Sequence, residues 1–300
     1  VVFLLTDAAY PSETFPISIN QVPGQSAANT LTIRPGVGNV ATISGSSTSC
    51  IIRFNGADWV ILDGSNSGGT DRSLTLSNTS TGPSTAVVCV QSLGTALVAT
   101  HDVLRNCNII AGSTTVSSIF GIHVAGTTVS TSATGDDNDY LTIQNNSIKK
   151  AYYGIYSRAT AAGRNDSLKI LNNSIGANVT ADQIGKYGMQ LYEADHALIS
   201  GNEVFNIVGT VTNPTGIRIE AGVVNSSITK NNIHNLYYTS TGGYGGKGID
   251  VATSANANVT ISNNFVSKMR GDGWSTFTSD AIVGIRILSP STGINIYNTP

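Results

Sequence analysis

Arg218, Glu220 and Asp250 are the residues whose types and spacing could support catalysis. Glycoside hydrolases use two carboxylates about 5–10 Å apart, and Glu220 and Asp250 lie on consecutive repeats of the chain. A polysaccharide lyase would instead use an arginine base, commonly with calcium, which Arg218 beside Asp250 could provide. A structural interpretation stays open, because Arg218, Asp250 and Arg286 alternate in charge and would pair across neighbouring strands.

A second group of charged residues, Asp136, Asp137 and Asp139, lies in the loop sequence GDDND. Carboxylate oxygens are ligands that calcium prefers, so the loop is a weak candidate for a calcium site. It lacks the EF-hand spacing, and a solvated turn is the alternative interpretation. The four histidines share no ligand spacing, so we expect no metal catalysis and no cofactor other than calcium. They are His101, His123, His196 and His234.

Aromatic residues are the candidates for a ligand-binding surface. Aromatic rings among Asn and Ser side chains commonly hold sugars, and loops carry function on rigid scaffolds. Packing of the same rings onto the protein is the alternative. The candidates are Tyr156, Tyr192, Tyr237, Tyr238, Tyr244 and Trp274.

The elements that must position these residues follow from two repeated motifs. The first motif is an alternating apolar strand, an Asn-centred turn and a β-branched residue. Its copies are LRNCNI (104–109), IQNNSI (143–148), ILNNSI (170–175), ISGNEV (199–204), ITKNNI (228–233) and ISNNFV (261–266). The second motif interleaves with the first. Its copies are FGIHV (120–124), YGIYS (153–157), YGMQL (187–191), TGIRI (215–219), KGIDV (247–251) and VGIRI (283–287).

A period near ~30 residues with about three short strands predicts an all-β, right-handed parallel β-helix of about nine or ten coils. Loop insertions are expected on one face. The second turn position of the first motif reads Cys107 and then five asparagines, which we expect to stack inside the coils as a hydrogen-bonded ladder. These are Asn146, Asn173, Asn202, Asn231 and Asn264. In the second motif we expect Ile122 and Val124 to point inward and His123 to point outward.

The composition narrows the classes of function. Charged residues make up 11% of the chain and the net charge is −2, so nothing favours nucleic acid or anionic lipid as a partner. No apolar run approaches the ~20 residues that span a bilayer. The three cysteines have no short spacing, which favours small buried side chains over a disulfide framework.

A resemblance to a known family covers most of the chain, through the two repeated motifs, and the first eighty residues are its most specific part. The segments TDAAYPSETFPISI (6–19), NTLTIRPGVGNVATISG (29–45) and IIRFNGADWVILDGSNSGGTDRSLTLSN (51–78) resemble β-helix repeat regions of large secreted and cell-surface proteins of Bacteroidota and related bacteria. The resemblance implies a non-enzymatic structural or adhesive module of a fibre, sheath or adhesin outside the cell, contacting glycans. Its partners would be neighbouring modules or subunits of the same assembly and extracellular polysaccharide.

The alternative function is a polysaccharide lyase or glycoside hydrolase that acts in a groove on the strand face of the glycine motif. We expect a single domain over residues 1–300, with less regular first coils (1–85) and regular coils after them (86–300). Because the chain opens in VVFLL and ends in YNTP, we interpret it as a piece of a longer protein.

Overall fold

The computed structural model of the chain is a right-handed parallel β-helix of about nine coils, which confirms the predicted fold class. The structure describes residues 1–95, 97–273 and 280–299. Three long parallel sheets run along its axis, and each coil contributes one strand to each sheet over most of the length. Among the described residues, no helix is long and apolar enough to cross a membrane.

Sheet 1 contains the strands that precede the Asn-centred turns. Its strands are Val2–Leu5, Leu31–Pro35, Val60–Asp63, Val103–Arg105, Thr142–Gln144, Lys169–Leu171, Leu198–Ser200, Ser227–Thr229, Val259–Ser262 and Ile294–Tyr297.

Sheet 2 contains the strands that follow those turns. Its strands are Ala41–Gly45, Leu74–Asn78, Cys107–Ile110, Ser147–Lys149, Ser174–Ile175, Glu203–Phe205, Val208–Gly209, Asn232–Tyr238 and Phe265–Arg270.

Sheet 3 contains the strands of the glycine motif. Its strands are Ile17–Asn20, Ile52–Asn55, Thr85–Gln91, Ile119–Ala125, Tyr153–Arg158, Tyr187–Tyr192, Thr215–Ile219, Lys247–Val251 and Val283–Ile287. Two short strands, Asn165–Asp166 and Ala194–Asp195, pair separately, and a 3-10 turn covers Thr180–Asp182.

The Asn-Asn pairs divide two tasks between them. The first residue of each pair turns the chain with a positive φ, as at Asn145 (51°) and Asn172 (54°). Asparagine tolerates this left-handed region better than other residues that carry a side chain. The second residue is buried, as at Asn173, where both the backbone N–H and Nδ2 donate to Oδ1 of Asn202, at 2.9 and 3.0 Å. Its Nδ2 also donates to the carbonyl of Ile143, at 2.9 Å.

The structure places the five asparagines in one continuous ladder. The same pattern of donors runs from Asn146 to Asn264, and the backbone N–H of Cys107 begins it by donating to Oδ1 of Asn146, at 2.9 Å. Every side-chain amide therefore satisfies backbone groups at a buried corner, where an unpaired group would cost about 1–3 kcal/mol. Cys107 keeps a free thiol in this column, and Cys50 and Cys89 are likewise free and buried.

The two motifs stay in step because they pack against each other. A Cβ at Gly188 would lie 2.6 Å from the carbonyl oxygen of Gly216 and 2.4 Å from Cγ1 of Val204, the β-branched residue that ends the first motif. The glycine column thus leaves room both for the backbone of the next coil and for the apolar residue inside the coil. Beside it, the predicted inward column is in register and buried from Ile122 to Ile249.

Candidate functional site

The outer face of sheet 3 is covered over its middle coils, contrary to the expectation of an exposed column. The side chain of His123 does point out of the coil, but it is fully buried, with Nε2 3.0 Å from the carbonyl oxygen of Ser130. The hydroxyl of Tyr156, on the next coil, donates to the carbonyl of Thr131, at 2.6 Å. Both contacts come from the loop after the strand Ile119–Ala125, which lies over the sheet.

This covering makes a second, smaller hydrophobic core outside the coil. Phe120 packs against Tyr153 and Tyr156, with ring centroids 5.1 and 5.3 Å apart. Burial lowers the pKa of His123 to about 4, so its imidazole is neutral at physiological pH. Tyr156, a ligand-contact candidate from the sequence, is fully buried, and its ring belongs to this core.

Farther along sheet 3, the predicted catalytic residues meet in one ion-pair cluster. Nη1 of Arg218 donates to Oδ2 of Asp250, at 2.7 Å, and Arg218 also pairs with Glu220 through Nε. Arg286, on the following coil, donates to both carboxylate oxygens of Asp250 through Nε and Nη2, each at 2.7 Å. The Asp250 side chain is completely buried between the two guanidinium groups. The sequence placed Arg218, Asp250 and Arg286 on consecutive coils, and the structure brings them together.

Glu220, like Asp250, accepts several hydrogen bonds from neighbouring side chains. Its Oε1 accepts from Nε2 of Gln190 at 2.8 Å and from the hydroxyl of Tyr192 at 3.2 Å, in addition to the bond from Arg218. Tyr192 is half-buried and carries the guanidinium of Arg158 over its ring, with the guanidinium carbon 4.8 Å from the centroid. Burial, followed by the charge of Glu220, raises the pKa of Tyr192 well above its usual range. Tyr192 thus supports the cluster instead of offering a free ring face.

This arrangement does not suit the carboxylate chemistry considered from the sequence. A general acid must deliver a proton to the leaving group, and a nucleophile or base must reach the sugar or a water molecule. Asp250 has no exposed surface, and Glu220 retains only 12% side-chain exposure. Every described contact of these carboxylates is with a neighbouring arginine, amide or hydroxyl. The geometry therefore fits cross-strand ion pairing.

Two lysines beside the cluster were missed from the sequence. Lys247 is 2% exposed, and burial, together with Arg286, lowers its pKa to about 8. The ammonium of Lys186 lies 4.8 Å from the ring centroid of Tyr187. Lys247 and Tyr187 both stand directly before a motif glycine and are linked in register through Thr215. Strict alternation counted from the inward-facing Ile249 would have turned Lys247 towards the inside of the coil, which is why the sequence did not point to it.

The loop tyrosines do not form one platform. Tyr238 is only 3% exposed, and its hydroxyl accepts from the backbone N–H of Gly242, at 3.1 Å. Tyr244 packs edge-on against Tyr238, with ring centroids 5.2 Å apart. Trp274 lies outside the described residues. Tyr237 differs from the others because its side chain is 43% exposed beside a surface groove.

We call this surface feature the Tyr237 groove. It has a volume of about 270 Å3 and lies on the outer face of sheet 2 and the adjacent turns. Three of its residues follow one another on adjacent strands, in the register Val208–Tyr237–Arg270. Its lining residues are Gln183, Asn206, Val208, Asn235, Tyr237 and Arg270.

Two of the three acidic residues of the GDDND loop, Asp136 and Asp139, accept hydrogen bonds from the next coil. Asp136 accepts from Oγ1 of Thr160, at 2.5 Å, and Asp139 accepts from the backbone N–H of Asp166, at 2.6 Å. Burial raises the pKa of Asp139 to about 6, and the nearby carboxylates of Asp166 and Asp137 add to the shift. Within the described part of the chain, no group of three or more His, Cys, Asp or Glu side chains could hold a metal ion.

Comparisons with known proteins give structural neighbours only. No family model and no curated protein matches the sequence. Three solved structures align with 99% of the chain: the enzymatically active domain of tailspike protein 2 of bacteriophage CBA120 (12% identity, TM-score 0.46), the Dettilon tailspike protein (15%, 0.45) and PfbA, a surface adhesin of Streptococcus pneumoniae (12%, 0.39). The chain spans 41%, 60% and 80% of the lengths of these proteins. At such identities the likeness concerns the fold alone.

Proposed function

We propose that this chain is a non-enzymatic adhesive or structural module of an extracellular bacterial surface protein, and that it contacts glycans. The observation that carries the proposal is the state of Glu220 and Asp250. Glu220 accepts hydrogen bonds from an arginine, an amide and a hydroxyl, and Asp250 is buried between two guanidinium groups. A solenoid with such an ion-pair cluster on the outer face of sheet 3 is a rigid, elongated support on which exposed loops and grooves make contacts.

The surface of the molecule supports the same proposal. Charged residues are sparse, so contacts would come mainly from amides, hydroxyl groups and exposed rings, which are the groups that hold sugars. We further propose neighbouring modules or subunits of the same surface assembly as partners, as the resemblance of the repeats to β-helix regions of surface proteins implies.

A cleavage assay tests the non-enzymatic part of the proposal. The purified chain is incubated with neutral and acidic polysaccharides, and products are measured by reducing-end release and by the ultraviolet absorbance of unsaturated sugars. We expect no product above the background of a buffer control. Cleavage by the purified chain would overturn the proposal, and loss of that cleavage in a Glu220→Gln variant that keeps the wild-type circular dichroism spectrum would restore the lyase or hydrolase alternative.

A further inference from the structure

The Tyr237 groove combines an exposed ring with polar side chains that have no partner in the protein. The side chains of Gln183, Asn235, Tyr237 and Arg270 make no hydrogen bond or ion pair within the part of the chain that the structure describes. The two arginines that hold Asp250, by contrast, are fully engaged. Free donors beside an exposed ring are the arrangement expected of a surface that binds a polar ligand.

The groove also carries an uncompensated positive charge. Arg270 is exposed and has no carboxylate partner among the described residues. Asp182, the residue before the groove residue Gln183, is paired with Lys149, at 3.3 Å. Asp272, two residues after Arg270, accepts from the backbone N–H of Gly243, at 2.9 Å. A guanidinium in this state is suited to a bidentate bond with a carboxylate of the ligand.

The spacing of these groups follows from the coil. Tyr237 and Arg270 are register partners on adjacent strands, so their backbones lie about 4.8 Å apart. Asn206 and Asn235 stand on consecutive coils at turn positions with φ of 51° and 57°. Nδ2 of Asn206 is occupied by the carbonyl of Ala177, at 3.0 Å, so Asn235 offers the free amide of this pair.

We propose that the Tyr237 groove binds an acidic sugar unit, such as a uronate, within an extracellular polysaccharide. The carboxylate of the sugar pairs with Arg270, one face of its ring stacks on Tyr237, and its hydroxyls bond to the amides of Asn235 and Gln183. The volume is below the ~300–1,000 Å3 of sites for drug-sized ligands, so one sugar unit of a longer chain occupies it. This inference rests on the proposed role in glycan contact and adds the class of glycan.

The test measures binding of polygalacturonate by affinity electrophoresis or calorimetry, with neutral dextran and dextran sulfate as comparison polymers. We expect the wild-type chain to prefer polygalacturonate to both. Arg270→Gln and Tyr237→Ala should each weaken its binding at least tenfold, which corresponds to about 1.4 kcal/mol. Arg270→Lys should weaken it less than Arg270→Gln, because the charge remains while the paired N–H donors are lost.

Matched controls separate the groove from general charge and surface effects. Lys169→Gln removes one exposed positive charge on sheet 1, and Tyr297→Ala removes an exposed ring in another strand of that sheet. Neither should change the affinity more than twofold. Since all four residues are exposed to solvent, the variants should keep the circular dichroism spectrum and melting temperature of the wild type.

Three results would overturn the inference. They are the absence of wild-type binding to millimolar uronate units, equal binding to dextran or dextran sulfate, and equal losses in Arg270→Gln and Lys169→Gln. These outcomes are distinct from failure of the proposed function, which would appear as polysaccharide cleavage. A chain that cleaves nothing and binds only neutral glycans would keep the proposed function and lose this inference.

Discussion

Replacement of Asn231 by alanine tests whether the asparagine ladder stabilises the coil. Oδ1 of Asn231 accepts from the backbone N–H of Asn202 at 3.0 Å, and its Nδ2 donates to the carbonyl of Ile199 at 3.0 Å. Alanine would leave this buried N–H and carbonyl without these partners. At about 1–3 kcal/mol for each group, the free energy of unfolding should fall by about 2–6 kcal/mol, a large part of the ~5–15 kcal/mol of a typical domain.

The neighbouring residue provides a matched control. Asn232 is exposed at the start of the next strand, and its side chain makes no hydrogen bond within the described residues. Asn232→Ala should therefore change the free energy of unfolding by less than about 0.5 kcal/mol. Urea unfolding followed by circular dichroism at about 218 nm gives the midpoint and the m-value for both variants. Equal m-values allow the midpoints to be compared. Equal midpoints for Asn231→Ala and Asn232→Ala would refute the reasoning.

A third variant, Asn231→Asp, separates loss of hydrogen bonds from loss of volume. One carboxylate oxygen can still accept from Asn202, but the other faces the carbonyl of Ile199 and Oδ1 of Asn264 instead of donating to them. Burial and these oxygens should raise the pKa of the new carboxyl above the ~4 of the unfolded chain. The folded state then binds the proton more tightly, so the deficit relative to wild type should shrink as pH falls from 7 towards 4. A deficit independent of pH would contradict this account.

Three further variants test other features of the fold. Gly188→Ala should lower the free energy of unfolding by about 1–3 kcal/mol, because the new Cβ would lie 2.6 Å from a backbone oxygen. In Gly284→Ala the nearest described atom to the new Cβ would be 3.7 Å away, so its melting temperature should stay close to that of the wild type. Asp250→Asn should cost about 3–5 kcal/mol, measured by urea unfolding, because it leaves two guanidinium groups without their shared carboxylate. Lys247→Met should raise the melting temperature most below pH 8. The pKa of this lysine is about 8 in the folded chain and 10.5 without the shift. Between these two pH values the unfolded chain holds the proton more tightly than the folded chain, so the stability of the wild type rises with pH. The advantage of methionine should therefore shrink by pH 10.

The interior of the coil could be predicted from the sequence because it repeats under a fixed constraint. Each coil must turn at the same corner and fill the same space. A buried asparagine such as Asn173 and a motif glycine such as Gly188 therefore stand at the same positions relative to the strands in successive coils. The register of the two motifs then follows from the contact between the motif glycine and the β-branched residue. The predicted pairing of Arg218, Asp250 and Arg286 follows from the same register.

The outer face was predicted less well because alternation along a strand says which way a side chain points and not what lies beyond it. His123 and Tyr156 do point out of the coil, but a loop from the same chain covers them. That loop has no repeat partner from which its course could be read. The turn that carries Asn206 and Asn235 recurs along the coil, with a positive φ at the second residue after the β-branched position in Lys150, Asn206, Asn235 and Lys268.

The division between interior and exterior explains how the outer surface of such a coil can change without destabilising the fold. In the strand Asn232–Tyr238, Leu236 is fully buried in the core while Tyr237, the next residue, faces the groove. Substitution at Tyr237 or at its register partners Val208 and Arg270 changes the surface of the groove and leaves the ladder and the apolar column in place. The groove residues are therefore free to vary, whereas Leu236 and the ladder asparagines are fixed by the need to stack one coil on the next.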